Sequence, residues 1–228
     1  MWTTYNLSYT NVYVLSRGVA GPVFLWPFYP HRGNELEHME EVVDADLAGR
    51  EFTIVAFEVE DWNRDLSPWR APGLMEGETF EGGGTRLVHL LENEIVPWTK
   101  LKYTEAKVYL MGYSLAGLFA MWVLYESACF DGAVCCSSSF WLEGWQEYAN
   151  VHKLRKHSVV YLSLGGKEEK TRNQRMAKVG DRTREMEKML RADPLVERCT
   201  LVMNSGGHFA DSAKRLVKGM QYVLGGNR

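Results

Sequence analysis

The chain has no long hydrophobic run, few cysteines and no excess of either charge, and each shortage removes a class of protein. Its longest unbroken apolar stretch, Leu115 to Tyr125, is well short of the roughly 18 residues a membrane span needs. Of the four cysteines, Cys135 and Cys136 are adjacent in an apolar run, while Cys129 and Cys199 stand alone. No spacing matches a zinc ribbon or a redox pair, so free, buried thiols are expected. Lys and Arg number 26 against 29 Asp and Glu, a net charge of −3. That balance gives no reason to bind nucleic acid or an anionic membrane. The opening Met1-Trp2-Thr3-Thr4-Tyr5-Asn6 lacks the basic-then-apolar order of a secretory signal, which makes a cytoplasmic protein the expectation. No internal repeat, low-complexity tail or linker interrupts the chain.

What is present is ordinary globular material. Apolar residues make up 46% and charged residues 24% of 228 positions, enough for one core and one domain over 1–228. Strands are expected at Tyr9–Leu15, Pro22–Trp26 (broken by Pro27), Phe52–Val59, Lys107–Met111, Gly132–Cys136, Val159–Leu164 and Cys199–Met203. Helical spacing of apolar residues marks Glu35–Ala48, Thr85–Ile95, the segment after Gly112, Met176–Leu190 and Ala213–Leu224. Asp61–Gly84, with two prolines and a triple glycine, reads as a long irregular loop, a type that is usually functional. Strands alternating with helices predict a mostly parallel central sheet covered by helices on both faces, a three-layer α/β sandwich with little or no cap domain.

The sharpest local signal is Met111-Gly112-Tyr113-Ser114-Leu115-Ala116-Gly117. A buried strand runs into a small-residue turn carrying one serine, and a helix leaves from it. A nucleophile elbow needs this context: the hydroxyl must project from the strand's C-terminal edge, and strand and helix backbones nearly touch. Gly112 supplies the space, Ala116 stands where glycine is usual, and Gly117 adds room one step on. The amide of Leu115, at the helix start, is aimed where an oxyanion would form. A plain Gly-Ser turn between strand and helix is the alternative.

A base and an acid should follow on loops after later strands. His31, His38, His89, His152 and His157 lie in polar or helical stretches and read as surface or packing residues. His208 differs: it follows the last strand in Asn204-Ser205-Gly206-Gly207-His208, where two glycines permit a tight path back over the sheet edge. The acid should follow Val159–Leu164, where Gly165-Gly166-Lys167-Glu168-Glu169 offers two carboxylates. Glu168 is the first choice and Glu169 the reserve, each able to accept the Nδ1–H of the histidine. Asp211 reads as a helix cap. Pro27 has no N–H, so the second oxyanion donor falls to the amide of Phe28 or Tyr29.

Eight tryptophans fall largely on loops that should crowd the catalytic edge. Trp62 and Trp69 in the irregular loop, Trp141 after the Ser137–Ser139 landing, Ser139 itself and Tyr113 are the expected substrate-binding residues. Aromatic walls suit an aryl ester or a sugar face.

With these residues in view, the chain resembles the α/β-hydrolase superfamily, in the putative-esterase branch that includes siderophore, feruloyl and acetylxylan esterases and esterase D-like proteins. The Gly-Tyr-Ser-Leu-Ala-Gly elbow at 112–117, Gly-Gly-Lys-Glu-Glu at 165–169 and Gly-Gly-His at 206–208 carry the likeness, which spans most of the chain and is greatest to small bacterial members. It implies a Ser114–His208–Glu168 triad and hydrolysis of a small aryl, acyl or sugar ester through an acyl-enzyme, with no cofactor and no metal. The same triad would serve a peptidase, thioesterase or acyl transferase, and a non-catalytic binding protein on this scaffold is a further alternative. Exposed aromatics leave a homo-oligomer open.

Overall fold

The computed structural model describes residues 1–30 and 33–225. His31 therefore lies outside the described residues. In chain order the elements are β1 (Thr3–Asn6), β2 (Asn11–Arg17), β3 (Val23–Phe28), α1 (Glu35–Asp46), β4 (Phe52–Glu58), α2 (Trp62–Asp65), β5 (Arg70–Pro72), β6 (Thr79–Glu81) and α3 (Gly84–Leu90). They continue with α4 (Val96–Lys102), β7 (Val108–Tyr113), α5 (Leu115–Glu126), β8 (Gly132–Cys136), α6 (Trp145–Val151), β9 (Ser158–Gly165), α7 (Gln174–Ala177), α8 (Val179–Ala192), β10 (Val196–Asn204) and α9 (Ser212–Val223). Eight strands form one sheet in the order β1-β2-β4-β3-β7-β8-β9-β10. From β4 to β10 the pairs are parallel, and β2 runs antiparallel to both its neighbours.

The central strands are buried on both faces, which is why they read as continuous apolar runs rather than alternating ones. Along β3, Val23 and Leu25 enter one core while Phe24, Trp26 and Phe28 enter the other. The first core is closed by α3 to α6 and α8, the second by α1 and α9. Helix α5 is buried from Leu115 to Tyr125 with no polar face, so its sequence shows no amphipathic stripe.

Three expectations need correction. Strand β3 does not break at Pro27 but runs to Phe28, with Pro27 opposite Phe57 of β4. Val23 donates to Lys107 on the β7 side, and alternation sends the Pro27 nitrogen to that side too. There β3 and β7 have already parted, since their last pair is Leu25–Leu110. No ladder hydrogen bond is lost, and a gap opens between two parallel strands at their C-terminal ends. The stretch 61–84 is not irregular throughout: α2 and an antiparallel β5–β6 hairpin occupy it. Arg175 holds the hairpin by donating to the carbonyls of Pro72 and Gly73 at 2.9 and 2.7 Å. Cys135 and Cys136 are buried free thiols as expected, but Cys129 and Cys199 are only half-buried. Among the described residues no helix is long and apolar enough to cross a membrane.

Candidate active site

Ser114 sits between β7 and α5 with φ 59° and ψ −120°, a conformation a non-glycine residue adopts only when its surroundings impose it. A Cβ at Gly112 would lie 2.2 Å from the Ala116 carbonyl oxygen, and one at Gly117 would lie 2.4 Å from Ser138 Oγ. The crowded positions are thus 112 and 117. Ala116 carries its methyl group into the core, so its departure from glycine leaves the turn intact. The Ser114 amide donates to Cys136 at 2.9 Å, and its carbonyl accepts from Ser139 at 3.1 Å. These bonds tie the elbow to the end of β8.

His208 Nε2 lies 3.0 Å from Ser114 Oγ, and His208 Nδ1 lies 2.8 Å from Glu168 Oε2. Three residues far apart in sequence, each at the C-terminal end of a different parallel strand, form one line of hydrogen bonds. Glu168 is 2% exposed at its side chain and His208 19%. Burial pushes the Glu168 carboxyl up, but hydrogen bonds from His208, Ser137 and the Gly165 amide outweigh it and hold the group below the usual carboxylate range. Glu169, the reserve, points away and pairs with Arg184 at 2.8 Å on the surface. Asp211 caps α9, its side chain accepting from the Lys214 amide at 3.2 Å.

Ser137 and Arg215, for which the sequence suggested no role, complete the cluster together with Tyr113, expected there only as a substrate-binding residue. Ser137 donates to Glu168 Oε1 at 2.7 Å. Arg215, 3% exposed at its side chain, donates to the same oxygen at 2.7 Å. The Tyr113 hydroxyl donates to the His208 carbonyl at 2.5 Å and accepts from Arg215 at 2.9 Å. Burial is the main cause that pushes the Tyr113 phenol up to about 12, so it stays protonated as a donor. The sequence carries no signal for Arg215, which stands between Lys214 and Lys218 in the same helix and is set apart only by its burial and its partners.

A cleft of about 340 Å³ opens above Ser114 and His208. Trp26 and Pro27 line one part; Trp62, Asn63, Glu78, Phe80 and Trp141 line another, with Tyr113, Leu115 and Ser139 at its floor. The irregular-looking stretch thus supplies a wall, with Phe80 against Trp141 at 6.1 Å between ring centroids. Trp69 is a correction. Its indole N–H donates to the Glu143 carbonyl at 2.7 Å, and its ring packs on Trp145 and Tyr148, away from the cleft lining. Phe28 is another: its carbonyl accepts from Val59 on the β4 side. Amide and carbonyl of one strand residue share a side, so its N–H turns away from Ser114. Tyr29 follows β3, half-buried and outside the cleft lining. A larger hollow of about 560 Å³ beside α3 is lined by none of Ser114, His208 and Glu168. Among the described residues no three His, Cys, Asp or Glu side chains converge to hold a metal.

Fold and elbow together define an α/β hydrolase. The model of the family described as Putative esterase matches residues 32–216, and the chain belongs to that family. It is an esterase-class enzyme of the serine type. Among solved structures, the siderophore hydrolase EstA from Aspergillus nidulans is similar at 16% identity and a TM-score of 0.74, over 99% of this chain and 94% of that one. An IroE-like serine hydrolase from Shewanella oneidensis is similar at 14% identity and a TM-score of 0.79, over 99% and 80%. Est1E from Butyrivibrio proteoclasticus is similar at 12% identity and a TM-score of 0.59, over 98% of both chains. At these identities the likeness speaks to the fold. No curated protein sequence matches.

Proposed function

We propose that this esterase cleaves small carboxylic esters with Ser114 as nucleophile, His208 as general base and acid, and Glu168 as the acid that orients the histidine. The observation that carries the reading is the single imidazole placed 3.0 Å from Ser114 Oγ and 2.8 Å from Glu168 Oε2. His208 Nε2 takes the Oγ proton as Oγ bonds to the ester carbonyl carbon, while Glu168 keeps the opposite nitrogen protonated. The tetrahedral oxyanion forms at the start of α5, where the Leu115 amide has no partner within the helix. That donor is worth roughly 3 kcal/mol. His208 then gives its proton to the leaving alcohol as the C–O bond breaks, and an acyl-Ser114 remains. Water activated by the same histidine attacks the acyl carbon, and Ser114 recovers its proton.

The cleft favours an uncharged acyl or alcohol group with an aromatic or ring face. Trp62, Trp141 and Phe80 offer flat apolar walls, and Asn63 and Ser139 offer hydrogen bonds for orientation. The test is labelling by a fluorophosphonate probe together with hydrolysis of p-nitrophenyl acetate. Both are expected for the wild type and lost in Ser114→Ala. A folded wild type that neither labels nor turns over would overturn the reading.

A further inference from the structure

Arg215 is a buried arginine whose two terminal nitrogens both find partners beside Glu168. Arg215 Nη1 faces Glu168 Oε1 at 2.7 Å, Ser137 Oγ at 2.8 Å and Tyr113 Oη at 2.9 Å. Nη2 donates to the carbonyls of Ser205 at 3.1 Å and Gly207 at 2.8 Å. The guanidinium thus touches the acid and the loop that delivers the histidine. Through Tyr113 it also reaches the His208 carbonyl. A Cβ at Gly165 would meet both Arg215 Nη2, at 2.7 Å, and Glu168 Oε1, at 2.8 Å. The end of β9 is therefore glycine where this cluster fills the space.

We propose that Arg215 is a positioning residue of the esterase reaction: its planar fork locks Glu168 and the Ser205–His208 loop into one unit, which sets the angle at which His208 meets Ser114. The proposal rests on the reading of Ser114, His208 and Glu168 as the triad. By binding Glu168 Oε1 together with Ser137, Arg215 leaves Oε2 as the oxygen that faces Nδ1. By binding two carbonyls just before His208, it fixes the backbone from which the imidazole hangs. Neither task is one of charge alone. A lysine would bring the same charge but a single point donor, and could not span the acid and the loop carbonyls together.

The test compares Arg215→Lys, Arg215→Gln and Tyr113→Phe with the wild type. Turnover of p-nitrophenyl acetate is expressed per site titrated by the fluorophosphonate, so that lost protein is not counted as lost rate. The downfield proton resonance of the His208 Nδ1–H bonded to Glu168 is followed by NMR. Both Arg215 variants are expected to lose kcat by on the order of 10–100-fold, as small misplacements near reacting atoms do, with KM within about twofold. Their downfield resonance is expected to broaden or vanish. Tyr113→Phe, which keeps Arg215 and removes one link, should lose less, and it decides the matter if the Arg215 variants fail to fold. A purely structural arginine would lower Tm yet leave kcat per titrated site and the resonance unchanged in every folded variant, and that result overturns the proposal. The resonance needs no turnover. An inactive wild type would end the esterase reading while the NMR comparison still decided whether Arg215 holds the histidine.

Discussion

Glu168 Oε2 accepts from His208 Nδ1 at 2.8 Å, while the next residue along the chain, Glu169, pairs with Arg184 at the surface. Two adjacent carboxylates thus have opposite surroundings, because the short 3-10 turn at Glu168–Lys170 sends one inward and one outward. Glu168→Gln keeps the shape but can offer an amide N–H to Nδ1, which would place the imidazole proton on the nitrogen that must accept from Ser114. We expect kcat for p-nitrophenyl acetate to fall on the order of 10⁴-fold, the scale seen when a triad acid becomes its amide. Glu169→Gln removes a half-exposed ion pair and should change activity by less than about twofold and stability by less than about 1 kcal/mol. Equal losses in the two variants would refute the assignment.

The same carboxyl makes stability depend on pH, with the loss on the acid side. Burial alone would raise its pKa above the ordinary 4.5, and hydrogen bonds from His208, Ser137 and Gly165 lower it below that value. The folded protein therefore binds this proton more weakly than the unfolded chain. The stabilisation is complete above 4.5 and is lost as pH falls through the lower, folded value. Unfolding free energies of wild type and Glu168→Gln from urea titration should differ at neutral pH by about 1.5–3 kcal/mol, the scale of hydrogen bonds to a charged group. The gap should narrow steadily below pH 4.5. A gap that widens on acidification would mean that burial, not hydrogen bonding, dominates this carboxyl.

What the sequence disclosed and what it hid follow from the range of the interactions involved. The meeting of Ser114, Glu168 and His208 could be anticipated because each stands just past a strand, and glycines at 112, 165 and 206–207 mark where backbone must turn or pass close. The parallel sheet was readable because β3, β4, β7, β8 and β9 are apolar runs buried on both faces. Strand β1 escaped notice since it is a polar edge strand with no buried residue. Helix α6 escaped because its burial rests on Trp145 and Ala149 alone. Arg215 was invisible for a different reason: a buried arginine is defined by its partners, and those come from β7, the end of β8, the turn after β9 and the loop before α9. Trp69 and Trp141 look alike in sequence, and only tertiary packing separates the one on Trp145 from the one in the cleft.

The elbow makes its own prediction about which small residue matters. Gly112→Ala places a methyl group 2.2 Å from the Ala116 carbonyl oxygen, and backbone must move to admit it. Overpacking of this kind costs about 1–3 kcal/mol, and displacement of Ser114 should remove fluorophosphonate labelling as well. Ala116→Gly restores the residue usual at that place in such elbows. It should leave labelling intact and destabilise by about 1–2 kcal/mol, the helix-propensity difference plus one lost buried methyl group. Labelling that survives Gly112→Ala and fails in Ala116→Gly would reverse this account of the turn.

Substrate preference should separate two tryptophans that the sequence could not. Trp141 lines the cleft and meets Phe80, whereas Trp69 packs on Trp145 and Tyr148 behind the wall. An acyl ring laid on Trp141 gains apolar burial that a methyl group does not. Trp141→Ala should therefore lower kcat/KM for p-nitrophenyl benzoate about tenfold more than for the acetate, corresponding to about 1.4 kcal/mol of lost contact. Trp69→Ala should lower the unfolding free energy by less than the roughly 3–5 kcal/mol of a fully buried tryptophan, with the benzoate-to-acetate ratio unchanged. The ratio is the deciding quantity because a general loosening of the fold scales both esters together, whereas a lost wall penalises only the substrate that leaned on it. If Trp69→Ala shifts the ratio as far as Trp141→Ala, the aromatic cluster behind the cleft belongs to the binding surface after all.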